Sequence, residues 1–179
     1  TQEESYYIMD CQEGAGVYLG LKENINREEM IRDLERAEKG EIIFPDHKYI
    51  NKFPVKKHDH LLIPPGTIHC SGKNVMVLEI SSSVYIFTFK LWDWGRVGLD
   101  GLPRPIHLKH GINNIQWYRD TKWVKENLIN QFELLQEEDG IRAEKTGLHE
   151  SEFIETVRHW FSKPVLHKTQ GSVNVLNLV

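Results

Sequence analysis

His58-Asp59-His60-Leu61-Leu62-Ile63-Pro64-Pro65-Gly66-Thr67-Ile68-His69 is the stretch on which the fold of this chain turns. Leu61-Leu62-Ile63 reads as a short buried strand, an apolar run bounded by turn signals. Pro64-Pro65-Gly66 then forces a tight turn, because proline fixes φ and glycine accepts positive φ. His69 follows where a second short strand begins, so its imidazole is held rigidly at the mouth of a β structure. A neutral imidazole held in this way suits a metal ion or a proton transfer. A strand-edge histidine with no chemical duty carries the same local signature.

Outward from this stretch the punctuation is regular. Downstream, Ser71-Gly72-Lys73-Asn74 is a hairpin-type turn and Val75 to Ile80 a strand. Residues 83–91 alternate Val84, Ile86, Thr88 and Lys90 against Tyr85, Phe87 and Phe89, which predicts a strand with its aromatics on one face. Upstream, Ser5 to Met9 and Gly16 to Leu19 are strand candidates joined by a glycine-rich turn. Asn26 is a good N-cap with Glu29 three residues on, Met30, Ile31, Leu34 and Ala37 form one apolar stripe, and Gly40 stops the helix. A short helix fits residues 107–116. Residues 117–150 are polar and weakly patterned, with Trp117, Trp123 and Phe132 as anchors. Residues 153–161 and 172–179 read as strands again. Many short strands and one clear helical region predict a mainly β fold of jelly-roll type.

Composition narrows the function. The 179 residues are 40% hydrophobic, enough for a real core, and a formal charge of −4 offers no basic stripe for nucleic acid. No apolar run approaches 18 residues, so no membrane helix is expected. Two cysteines far apart, Cys11 and Cys70, point to a reducing cytoplasm rather than a disulfide scaffold. The apolar, strand-like character of both ends suggests a piece of a larger protein, and exposed strand edges there would allow a homo-oligomer.

The central motif, with its flanks, resembles the cupin barrels, and within them the type I mannose-6-phosphate isomerases. The carriers are Asp59 followed by the apolar run and Pro65-Gly66-Thr67-Ile68-His69, the start Glu4-Ser5-Tyr6-Tyr7-Ile8, the strand ending Leu78-Glu79-Ile80, then Leu91-Trp92-Asp93-Trp94-Gly95-Arg96 and Pro105-Ile106-His107. The resemblance implies a cupin-type jelly-roll barrel with one inserted helical region. Residues 1–116 would be the cupin-like domain with its helical insertion at 26–40, residues 117–150 a connecting segment, and residues 151–179 the start of a second, incomplete cupin-like β unit.

The same resemblance implies a zinc-dependent aldose–ketose isomerase interconverting mannose 6-phosphate and fructose 6-phosphate, a small-molecule sugar phosphate being the partner. Glu4 and His69 would be metal ligands, with Glu3 the neighbour against which the register is set. Lys90 stands where the family places a catalytic arginine, keeping the charge but not the bidentate fork. Arg96 and Glu79 are candidates for substrate contact. The family's Gln-x-His ligand pair is absent, and the family lysine two residues before the glutamate is here Gln2. These departures favour an alternative, a non-catalytic cupin module that binds a sugar or a partner. A third reading places iron on His58, His60 and His69, since residues two apart on a strand share a face.

Overall fold

The computed structural model describes residues 2–81, 88–146 and 154–179. Two three-stranded antiparallel sheets face each other. In the first, β1 (Glu4–Cys11) runs between β4 (His60–Ile63) and β6 (Val75–Ser81). In the second, β2 (Gly16–Leu21) runs between β3 (Ile50–Pro54) and β5 (His69–Ser71). The apolar face of each sheet follows the period of two. Tyr6 and Ile8 of β1, Val17 and Leu19 of β2 and Leu61 of β4 meet in one buried core.

The helix α1 (Arg27–Glu38) forms where the apolar stripe places it. The Asn26 side chain accepts from the Glu29 backbone N–H at 2.9 Å, satisfying one of the helix's free donors. Met30 and Leu34 are fully buried against Leu21, Phe44, Tyr49 and Ile50. At about 1.5–3 kcal/mol per buried side chain, these two contacts hold the helix more firmly than its cap does. A single-turn helix α2 (Asp46–Tyr49) leads into β3, and α3 (Leu108–Asn114) occupies the expected 107–116 region.

Later parts of the chain depart from expectation. Within 117–150 lie a helix α4 (Thr121–Asn127) and a hairpin of β7 (Phe132–Glu138) and β8 (Ile141–Thr146), with β9 (Val157–Phe161) added to make a third sheet. The sequence hides β7 because all seven of its residues are exposed and a bulge between Leu134 and Gln136 breaks its alternation. Residues 172–179 form no strand: their apolar side chains are exposed. Residues 82–87, which hold most of the expected aromatic strand, lie outside the described residues.

The third sheet rests on the outer side of β1 and β4 through polar and aromatic contacts. Arg158 donates to the His58 carbonyl at 2.5 Å, and Asn130 donates to the Asp59 carboxylate at 2.9 Å. His60 lies among them, 2% exposed, its ring 5.8 Å from that of Tyr7. Burial depresses its pKa to about 4 against a weaker opposing contact with the Thr146 backbone, and Arg158 adds to the depression. The folded chain therefore holds His60 neutral, whereas the unfolded chain protonates it near pH 6.5. Its contribution to stability is full above about pH 6.5 and lost as pH falls toward 4, up to about 3 kcal/mol. Melting temperature measured from pH 8 to 4.5 should fall more steeply in the wild type than in His60→Gln.

Candidate active site

Between the two main sheets, under α1, lies a cavity of about 520 Å³ whose lining includes Glu4, His69, Glu79 and Lys90. That volume is within the usual range for small-molecule sites. Strand alternation explains the cast. On β1, Glu4 and Tyr6 point into the cavity, and Tyr7 points the other way toward His58 and His60.

The Pro64-Pro65-Gly66-Thr67 turn is built to hold His69. Thr67 Oγ1 donates to the Pro64 carbonyl at 2.7 Å, and the Gln116 N–H donates to the Gly66 carbonyl at 2.9 Å. Gly66 has φ +83°, and a Cβ there would lie 2.4 Å from the Asn114 carbonyl oxygen, so only glycine fits. His69 Nδ1 lies 2.9 Å from the Thr67 carbonyl, which can only accept, so Nδ1 carries the proton. This leaves Nε2 aimed at Glu4 Oε1, 2.6 Å away.

The electrostatics are those of a tight pair. Burial alone would raise the Glu4 carboxyl, but hydrogen bonds and charge from His69, with further hydrogen bonds from Glu79 and Gln2, hold it below its ordinary value. Gln2 Nε2 donates to Glu4 Oε2 at 2.8 Å. Burial opposes the imidazolium of His69, yet Glu4 outweighs it and raises the pKa. Glu79 is raised by burial and by its hydrogen bond to Glu4, so of the two carboxyls Glu79 takes up a proton the more readily.

Lys90 reaches the cavity beside Asp93, its Nζ 3.4 Å from Oδ2. Asp93 is buried and also gathers Arg104 at 3.1 Å and Arg96 at 3.8 Å. Arg96 is thus at the rim beside Asp93 rather than in the cavity wall. The structure brings Glu4, His69, Glu79 and Lys90 together and leaves Arg96 adjacent. It separates His58 and His60 from them: both pack on Tyr7 on the other side of the sheet, which removes the three-histidine iron site.

Sequence reasoning missed three contributors. Arg119 is buried and clamps the proline turn, donating to Pro64 and Pro65 carbonyls at 2.8 and 2.7 Å. Arg104 completes the cation group. Tyr18, Phe44, Trp92 and Trp94 form an aromatic wall, with Trp92 and Trp94 centroids 4.7 Å apart. Only the Trp92-Asp93-Trp94 run carried a visible signal for any of them.

The fit to zinc is that of half a site. Glu4 and His69 offer an oxygen and a nitrogen donor of the right kinds, aimed at one point. Two ligands of one tetrahedral zinc, each about 2.0–2.1 Å from the metal, lie roughly 3.3 Å apart, so the 2.6 Å pair would have to part by under 1 Å. Among the described residues no three His, Cys, Asp or Glu side chains form a metal-holding group.

No family model matches the chain. It is 32% identical over 113 residues to the mannose-6-phosphate isomerase ManA of Bacillus subtilis (strain 168), covering 63% of this chain and 33% of that protein. It is 30% identical over 110 residues to the mannose-6-phosphate isomerase of Streptococcus mutans, with 62% and 32% covered. The crystal structure of the mannose 6-phosphate isomerase from Bacillus subtilis superposes with a TM-score of 0.62 at 21% identity, over 83% of this chain and 42% of that one. The chain thus spans about a third of the length of these curated relatives. In sequence this chain is similar to mannose-6-phosphate isomerases over about 110 residues, and its mainly β fold is shared with the Bacillus subtilis enzyme.

Proposed function

We propose that this chain serves a sugar-phosphate isomerase that interconverts mannose 6-phosphate and fructose 6-phosphate. The observation that carries this reading is the Glu4–His69 pair facing a cavity that Lys90 and Glu79 also line. Aldose–ketose isomerisation moves a proton between two adjacent carbons through an enediol. It needs groups that stabilise negative charge on the sugar oxygens and cations for the phosphate. Around Asp93, Lys90, Arg96 and Arg104 set three positive charges against one negative, and of these Lys90 lines the cavity. Glu4 and His69 would hold zinc, which when bound supplies Lewis-acid polarisation of a sugar oxygen. The Thr67 carbonyl fixes the His69 tautomer that leaves Nε2 free for this. The two free thiols, Cys11 and Cys70, accord with a cytoplasmic setting.

Lys90→Met should lower kcat/KM for mannose 6-phosphate by about 10², the usual effect of removing one charge-stabilising donor, and Lys90→Arg should restore most of it. The direct test is coupled-assay turnover of mannose 6-phosphate by the purified chain, together with its zinc content. Turnover with stoichiometric zinc supports the isomerase. Sugar binding without turnover supports the second reading, a non-catalytic sugar-binding module. That reading is favoured by Gln2, which places an uncharged amide on Glu4 where the resemblance implies a lysine. Neither binding nor turnover overturns both.

A further inference from the structure

Trp94 has a backbone φ of +56°, and Gly95 after it a φ of +65°. A bulky side chain in the left-handed region is a true outlier, since its Cβ crowds the following carbonyl. Strain of this kind persists where the surrounding structure enforces it, and it concentrates at sites that bind. A glycine or asparagine at position 94 would make the same turn with less strain, so turn geometry alone does not call for tryptophan. Core packing does not either: Trp94 is 42% exposed. Its ring lines the same cavity as Glu4 and His69. Behind it, Trp92 lies 4.7 Å away and the Tyr18 ring meets it edge-on at 5.4 Å.

We propose that Trp94 is the platform on which the hexose ring of the substrate stacks, setting the position of the sugar relative to Glu4 and His69. This rests on the sugar-phosphate reading above. A pyranose or open-chain hexose presents a patch of C–H bonds between its hydroxyls. These carry slight positive charge and are apolar, so they complement the negative face of an indole and gain by leaving water. The polar edge of the sugar then faces the carboxylates and the imidazole. The phosphate faces the Asp93-tethered cations, whose anchor is the residue just before Trp94 in sequence. One five-residue turn, residues 92–96, thereby presents both the platform and part of the anion-binding rim.

The test is calorimetric titration of the full chain with mannose 6-phosphate and, separately, with inorganic phosphate, in wild type, Trp94→Gly and Trp94→Phe. Trp94→Gly should bind mannose 6-phosphate ~10-fold more weakly or worse, while its affinity for inorganic phosphate stays at the wild-type value. Trp94→Phe keeps an aromatic face and should stay within ~3-fold of wild type for both. Mannose 6-phosphate should also quench tryptophan fluorescence in the wild type and not in Trp94→Phe, a readout that does not depend on the glycine variant folding. Equal sugar-phosphate affinity in wild type and a folded Trp94→Gly, or equal quenching in wild type and Trp94→Phe, overturns the platform and leaves the isomerase reading intact. A wild-type chain that neither binds nor turns over mannose 6-phosphate overturns both.

Discussion

If the chain is the isomerase proposed above, His69→Ala is expected to lower turnover of mannose 6-phosphate by roughly 10³-fold or more, about 4 kcal/mol of transition-state stabilisation, and to abolish zinc binding. The expectation rests on how few groups share the work. His69 Nε2 is aimed at Glu4 Oε1 by a turn that leaves the ring one orientation, through its Nδ1 bond to Thr67. Glu4 in turn stays ionised against its own burial chiefly because His69 is beside it. Removing the imidazole therefore does more than delete one donor. Burial then pushes the Glu4 carboxyl upward, toward a neutral acid that neither pairs with a metal nor balances a developing charge. Glu4→Gln should reproduce most of the loss from the other side. Gln2 and Glu79 remain to satisfy part of the emptied carboxylate, so the fold should survive, with a circular dichroism spectrum like that of the wild type. Zinc content and turnover both unchanged in a folded His69→Ala protein would sink the assignment.

What could be read from sequence divides by the range of the interaction that decides it. The His69 turn, the strand before it and α1 were legible because their causes sit within a few residues: two prolines and a glycine, an apolar triplet, an asparagine three residues before a glutamate. The family resemblance added Glu4, which no local signal marks out, and the structure puts it 2.6 Å from His69. Period-two reasoning put His58 and His60 on one face of a strand, but only His60 is in β4; His58 lies in the turn before it with φ +73°, and the rings of both meet Tyr7. It could not say which side faced the cavity. That is fixed by β1, where Glu4 and Tyr6 point inward, so Tyr7 and its neighbour His60 must point out. Arg104 and the strained backbone at Trp94 were hidden for a related reason. The first matters only through a buried aspartate eleven residues earlier, and the second through a cavity that exists only in the assembled fold.

Arg119→Ala should cost about 3–5 kcal/mol of stability and carry the active site with it, although Arg119 does not line the cavity. The guanidinium is 7% exposed and donates to the Pro64 carbonyl at 2.8 Å, the Pro65 carbonyl at 2.7 Å and Thr67 Oγ1 at 2.5 Å. Its carbon lies over the rings of Tyr118 and Trp123 at 5.5 and 5.3 Å, which shield it from water. Hydrogen bonds to a buried charge are worth about 1.5–3 kcal/mol each; alanine would take the guanidinium donor from the Pro65 carbonyl, while the Pro64 carbonyl would keep only those from Thr67. The damage should then travel along the turn. Thr67, one of the three acceptors, supplies the carbonyl that fixes the His69 tautomer two residues on. Loosening the turn frees the imidazole to leave Glu4. Arg119→Lys would keep the charge but not the flat guanidinium that lies over Tyr118 and Trp123 and places Nη1 against all three acceptors, and should fall between wild type and alanine. The check is a urea denaturation series with zinc content measured on the same three proteins. A destabilisation under ~1 kcal/mol in Arg119→Ala would show that water can replace the guanidinium and that the turn holds its shape through the prolines and Gly66 alone.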